Sequence, residues 1–179
     1  MPINWDTFKS TTKTFFKSYT AQNEQHAAQF IATQYTAAIL QGGDNFAGNV
    51  VIVKSTMTDL LASAIEDAFT SGVQLEESVI PQVFGTIIST GLIKYWTGAQ
   101  LSTLKPPPGT TAIVPPNPVL GPGVVIPRLS VGATENEDTF INDLVDFFKQ
   151  HLNTLQGTTI GLVPGAPPVP TPFPWAGYS

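Results

Sequence analysis

The sequence predicts a mainly α fold: a helical domain of four to five helices with long proline-rich extended segments. Three observations predict it. Apolar side chains recur every three to four residues through several stretches, the mark of a helix that buries one stripe. Fourteen of the 16 prolines fall in two windows, 106–127 and 164–174, which divide the chain into helix-compatible blocks and connectors. With 179 residues, 42% of them hydrophobic, and no cysteine, one apolar core has to hold the fold without disulfides or thiolate–metal clips. A compact chain of 19.1 kDa exposes roughly 8,400 Å² against roughly 27,700 Å² unfolded, so a sizeable core is within reach.

Four parts follow: an N-terminal helical region over 1–101, a proline-rich extended connector over 102–133, a C-terminal helix over 134–157 packing on the helical region, and a proline-rich docking arm over 158–179. The first block, from Asn4 to Leu40, carries Trp5, Phe8, Phe15, Tyr19, Phe30, Ile31, Tyr35 and Ile39 at helical spacing. Asn4 suits an N-cap, "GG" at 42–43 ends the pattern, and polar "TAQNEQ" in the middle fits one bent helix or two. "VVIVK" at 50–54 suits either a strand or a buried approach to the next helix. From Thr56 to Ser71 the residues Met57, Leu60, Leu61, Ala64, Ile65, Ala68 and Phe69 form one face, with Ser55 or Thr56 as cap and Gly72 as stop.

The most apolar helix follows. Ser78 caps it, Pro81 sits in its first turn, and Val79, Val83, Phe84, Ile87, Ile88, Leu92, Tyr95 and Trp96 make its stripe before Gly98. Gly85 and Gly91 inside it each cost about 1 kcal/mol relative to alanine, which close helix–helix approach explains. The connector places "AIV", "PVL" and "VVI" between its prolines, so it is predicted to lie on a protein surface rather than in solvent. In the last helix Thr134 and Glu137 form a capping box, Phe140, Ile141, Leu144, Val145, Phe148, Leu152 and Leu155 the stripe, and Gly157 the end.

Charge is sparse, at 12% of residues, and the net charge is −5. That leaves an apolar surface suited to meeting other protein. Lys9, Lys13 and Lys17 share one helix face but make a solvated edge rather than a nucleic-acid or membrane patch. "MPINWDTFKS" lacks the layout of a signal peptide, and no apolar run is long enough to span a bilayer.

The residues that carry chemistry are scattered. His26 and His151 stand alone, without metal-ligand spacing, and are expected at the surface or at helix ends; His151 in a last turn would favour the helix dipole. "ENEDTFINDLVD" lacks the glycine and alternating oxygens of a calcium loop, and its acids suit a helix N-terminus and a solvated face. No G-x-S-x-G and no phosphate loop occurs. No catalytic residue, metal ligand or cofactor is predicted.

The closing "LVPGAPPVPTPFPWAGYS" has six prolines and no charged side chain. As an extended arm, residues 158–179 reach roughly 70 Å, and Phe173, Trp175, Tyr178, Leu162 and Val169 are the expected partner-binding residues. "FGTIISTGLIKYWTGAQL", "PPPGTTAIVPPNP" and "TPFPWAGYS" are together similar in style to accessory virion proteins of tailed bacteriophages, especially contractile-tailed phages of cyanobacteria. The resemblance implies a non-enzymatic structural subunit assembled in the host cytoplasm and resident in the virion, in the tail, neck or baseplate. It implies homo-oligomers and other virion proteins as partners, with no small-molecule substrate, nucleic acid or membrane. A capsid-bound cement protein and a cytoplasmic protein-binding module are the alternatives.

Overall fold

A computed structural model describes the chain except residues 1, 19–22, 44–48, 102–104, 114–120, 131–135, 176, 177 and 179, with the backbone alone at 174 and 175. The described residues form five helices and four strands in the order α1 (Trp5–Ser18), α2 (Glu24–Ile39), β1 (Val51–Ile52), α3 (Ser55–Gly72), α4 (Ile80–Trp96), β2 (Gln100–Leu101), α5 (Glu137–Leu152), β3 (Gly157–Val163) and β4 (Val169–Trp175). Helices dominate, as the periodicity predicts. The first block is two helices: Asn4 Oδ1 accepts from Thr7 N–H at 3.1 Å, and Asn23 Oδ1 caps α2 by accepting from His26 N–H at 2.9 Å.

α3 packs against both α2 and α4, while α1 bridges α2 and α5. The stripes meet in one core that includes Ile31, Tyr35, Leu61, Ile65, Ile88, Leu92, Leu144 and Phe148. Aromatic rings tie its parts together. Tyr35 of α2 lies 5.3 Å from Tyr95 of α4 and 4.6 Å from Phe148 of α5, and Trp5 of α1 stacks on Phe148 at 6.3 Å. Polar tips inside this cluster have partners: Trp96 Nε1–H donates to Tyr35 Oη at 2.9 Å, and Tyr95 Oη pairs with Thr36 Oγ1 at 3.3 Å. Burial raises the hydroxyls of Tyr35 and Tyr95 well above the ordinary phenol range, so both stay protonated and able to donate.

Gly91 behaves as predicted: a Cβ there would run into the Cβ of Ala64, so glycine lets α4 close on α3. Gly85 serves a different approach. A Cβ on it would stand 2.5 Å from the backbone of Arg128, so it makes room for the connector rather than for another helix.

Several boundaries differ from expectation. α3 starts one residue early, and its N-cap position is Lys54, whose side chain makes no capping bond; Ser55 and Thr56 lie inside the first turn. Leu60, expected on the buried face of that helix, is 43% exposed. Val79, not Ser78, occupies the N-cap position of α4, because residues 76–79 form their own turn through Val79 N–H to Glu76 O at 3.0 Å. α5 is capped by Asn136, whose Oδ1 accepts from Thr139 N–H at 2.9 Å; Thr134 lies outside the described residues. The helix ends at Leu152, and Gly157 opens β3 instead of closing the helix. "VVIVK" supplies β1, paired antiparallel with β2 through Val51–Leu101 and Ile52–Gln100.

The connector does not hang free where it is described. Residues 121–130 have no regular secondary structure, yet they cross α4 and the end of α5 and bury Ile126 and Leu129. Ser89, the polar residue within the apolar stripe of α4, holds them: its Oγ accepts from Ile126 N–H at 2.7 Å and donates to Val124 O at 3.3 Å.

Candidate functional site

The tail is not a free extended arm. β3 and β4 pair antiparallel over their full length, from Gly157–Trp175 to Val163–Val169. A strand with prolines at 170, 172 and 174 is possible because of where those prolines fall. In an antiparallel ladder, alternate residues turn their N–H and C=O toward the neighbour and the others turn away. Leu162 settles the phase: its N–H donates to Ala112 O at 2.9 Å and its carbonyl accepts from Thr111 N–H at 2.8 Å, both on the side away from β4. Thr158, Ile160 and Leu162 therefore point their backbone groups away from β4, and the residues opposite them are Pro174, Pro172 and Pro170. Every proline of β4 sits where no ladder N–H is required. Proline tolerates edge strands for this reason.

The outer edge of β4 consequently offers carbonyls at 170, 172 and 174 and no N–H between them. An ordinary strand cannot zip onto an edge that only accepts, so the hairpin is protected from open-ended sheet growth. No helix makes more than marginal contact with either strand among the described residues, so the hairpin rests chiefly on itself and on 110–113. Thr110 fills the space above Gly161 on one face. The opposite face carries Ile160 and Leu162, half-buried, beside exposed Pro170 and Pro172.

The five expected partner-binding residues separate on this framework. Val169, at the start of β4, is 57% exposed. Leu162 and Phe173 are half-buried, Phe173 opposite Thr159 in the ladder. Trp175 closes the ladder opposite Gly157. Tyr178 is a different case: it is 2% exposed, inside the protein's own core. Its hydroxyl donates to Ile39 O and accepts from Val51 N–H, each at 3.1 Å, and its ring lies 5.5 Å from Trp96. The hairpin is thus tethered at one end by α5 and at the other by an aromatic plug between α2, β1 and α4.

Elsewhere the chemistry-bearing residues stay apart. Among the described residues no group of three or more His, Asp or Glu is placed to hold a metal ion. His26 is exposed at the start of α2, with its ring edge-on to Phe15 at 5.6 Å. His151, expected at a surface or as a dipole partner, is instead fully buried, and burial lowers its pKa to about 4, so it is neutral and gives the dipole nothing. Lys13 reaches from α1 to Asp138 on α5 at 3.5 Å, a half-exposed pair that contributes little. An open cleft of about 430 Å³ beside α5 brings Arg128 and Ser130 near Asp143, Asp146 and Gln150. No described helix is long and apolar enough to cross a membrane.

Sequence reasoning missed Ser89 and Thr154, whose hydroxyls accept from Ile126 N–H and Val124 N–H of the connector, and it missed the hairpin. The available signals were one serine in an apolar helical stripe and a proline at every second position of "VPTPFPW". Fold and site together define a class: a small helical bundle that carries a tethered, proline-edged β-hairpin. No family model, curated protein or solved structure is significantly similar to the chain.

Proposed function

We propose that the chain is a non-enzymatic structural subunit of a bacteriophage virion, placed in the tail, neck or baseplate and joined to copies of itself and to other virion proteins. The docking part of this reading is supported by the hairpin, which no helix touches more than marginally among the described residues and which has no charged residue; the virion assignment is supported by the resemblance of the quoted stretches alone. Val169, Pro170 and Pro172 are exposed on β4, and ordering them gives little return unless a neighbour covers them. Leu162 at a register position on one face, and Val169, Phe173 and Trp175 at positions on the other, are the contact residues, so the partner grips the hairpin from both sides, and the proline-rich extended character of the chain serves to present them. Tyr178 fixes the base of the hairpin, so its pose is set before docking, which lowers the entropic cost of association.

Mass spectrometry of fractionated particles tests the assignment. A tail, neck or baseplate subunit stays in many copies with headless tails. Retention on tailless heads would replace this reading with a capsid-bound cement protein, and absence from particles would replace it with a cytoplasmic binding module. Val169→Asp separates docking from folding: the variant keeps its melting temperature and loses incorporation. Normal incorporation would remove the hairpin from the interface.

A further inference from the structure

Residues 121–130 are tied to the body along their length. Gly121 N–H donates to Gln156 O, Val124 N–H to Thr154 Oγ1 at 3.1 Å, Ile126 N–H to Ser89 Oγ at 2.7 Å and Leu129 N–H to Pro81 O at 2.8 Å. Beneath this strap, in the last turn of α5, His151 is 0% exposed, and neither ring nitrogen has a hydrogen-bonding partner among the described residues. The Cε1–Nε2 edge of the ring lies under Gly123, where a Cβ would stand 3.0 Å from each atom. Gly123 also has φ +80°, so glycine is needed there both for its backbone and for room over the ring. Thr154, which holds Val124, is bonded in turn to the carbonyl of His151 at 2.7 Å.

A neutral imidazole in this place needs only space. An imidazolium needs acceptors or water for both N–H groups, and a buried charge without them is not tolerated. Among the described residues no charged neighbour compensates. Arg128 is the strap's only charged side chain and is exposed; α4 offers only Lys94, also exposed; residues 153–156 have none. On α5, Asp146 and Lys149 are exposed and pair with each other at 3.5 Å, and Asp143 faces the cleft beside Arg128.

We infer that residues 121–130 form an acid-released strap, with His151 as the group whose protonation lifts it from α4 and α5. Lifting gives up these four N–H bonds, the carbonyl bonds of Val124 and Pro127 and the burial of Ile126 and Leu129, and leaves the aromatic core around Tyr35 and Trp96 intact. It is therefore a local opening rather than unfolding. It bares the α4 surface around Gly85 and Ser89, an apolar face available only in acid. The direction follows from linkage. The closed form binds the proton with a pKa of about 4 and the open form near the ordinary 6.5, so the open form holds more protons between those values and gains population as pH falls. The gain is about tenfold per pH unit, to a total of about 300-fold.

Amide hydrogen exchange on the full chain tests this. The opening constants of Ile126 and Leu129, corrected for intrinsic exchange, should rise about tenfold per pH unit from about pH 6.5 to about pH 4, with helical circular dichroism unchanged. In His151→Leu the rise should vanish. Gly123→Ala is the complementary variant: it holds the strap off the ring, so exchange should be fast at neutral pH and His151 should titrate near 6.5 by NMR. The proposal is overturned if strap exchange shows no pH dependence in the native chain. It also fails if His151→Leu keeps the acid response, if helical signal is lost in step with strap protection, or if His151 in Gly123→Ala still titrates near 4.

Discussion

Replacing Tyr178 by Phe keeps the ring against Trp96 and removes only the hydroxyl, which isolates the polar half of the plug. The two hydrogen bonds are not equivalent. Ile39 O also accepts from Gly42 N–H at 3.0 Å and stays satisfied, whereas Val51 N–H loses the acceptor it has at 3.1 Å. One buried orphan donor costs about 1–3 kcal/mol. In a chain of this size, 2 kcal/mol corresponds to a fall in melting temperature of about 4–8 °C. Tyr178→Ala adds the loss of the ring and the cavity it leaves, bringing the total to about 3–5 kcal/mol. Thermal and urea unfolding followed by circular dichroism measure both. The ordering Ala worse than Phe worse than native, independent of protein concentration, is the expected result. Native-like melting in both variants would show that the plug is not seated in its own chain. A melting temperature that climbs with concentration would show that a second copy supplies it.

Gly91→Ala should destabilise despite its better helix propensity, because the new methyl group meets Ala64; overpacking of this kind costs about 1–3 kcal/mol. Ala64→Gly in the same chain should recover part of the loss in a double-mutant cycle, and independent, additive effects would refute the close approach. Ser89→Ala should cost about 1–3 kcal/mol by orphaning the Ile126 N–H, with hydrogen exchange rising first in 121–130; uniform loss of protection would contradict a separable strap. Replacing Pro170, Pro172 and Pro174 together by Thr should preserve the hairpin and restore N–H donors to its outer edge. Light scattering should then show open-ended self-association beyond that of the native chain, and unchanged scattering would mean the edge is already covered.

Local pattern accounts for what was legible. Ile141, Leu144, Val145, Phe148 and Leu152 fall on one side of α5 in the sequence and are all buried. The same holds for Met57, Leu61, Ala64, Ile65 and Ala68 in α3. Helix bonds join residues four apart, so their signature is continuous in sequence. The errors arose where the deciding partner is remote. Ser78 looks like a cap until the turn at 76–79 takes that place, and Leu60 looks buried until the neighbouring helices fix which sector of α3 they cover. His151 looks like a dipole partner until the strap covers it. Taken one at a time the tail's prolines suggest an extended arm, whereas their two-residue period places each ring on the side of a strand that needs no donor. Tyr178 carries no local sign that its partners are Ile39 and Val51.

Those partners lie 139 and 127 residues from Tyr178 in the chain. Translation adds about 5–20 residues per second, so roughly 4–16 s separate the synthesis of Trp96, which completes the slot, from that of Tyr178, 82 residues later. Throughout that interval the slot between α2, β1 and α4 has no occupant from its own chain, and the Val51 amide waits for its acceptor. The nascent protein is therefore a helical body whose aromatic socket stays unfilled until the hairpin closes and Tyr178 enters it.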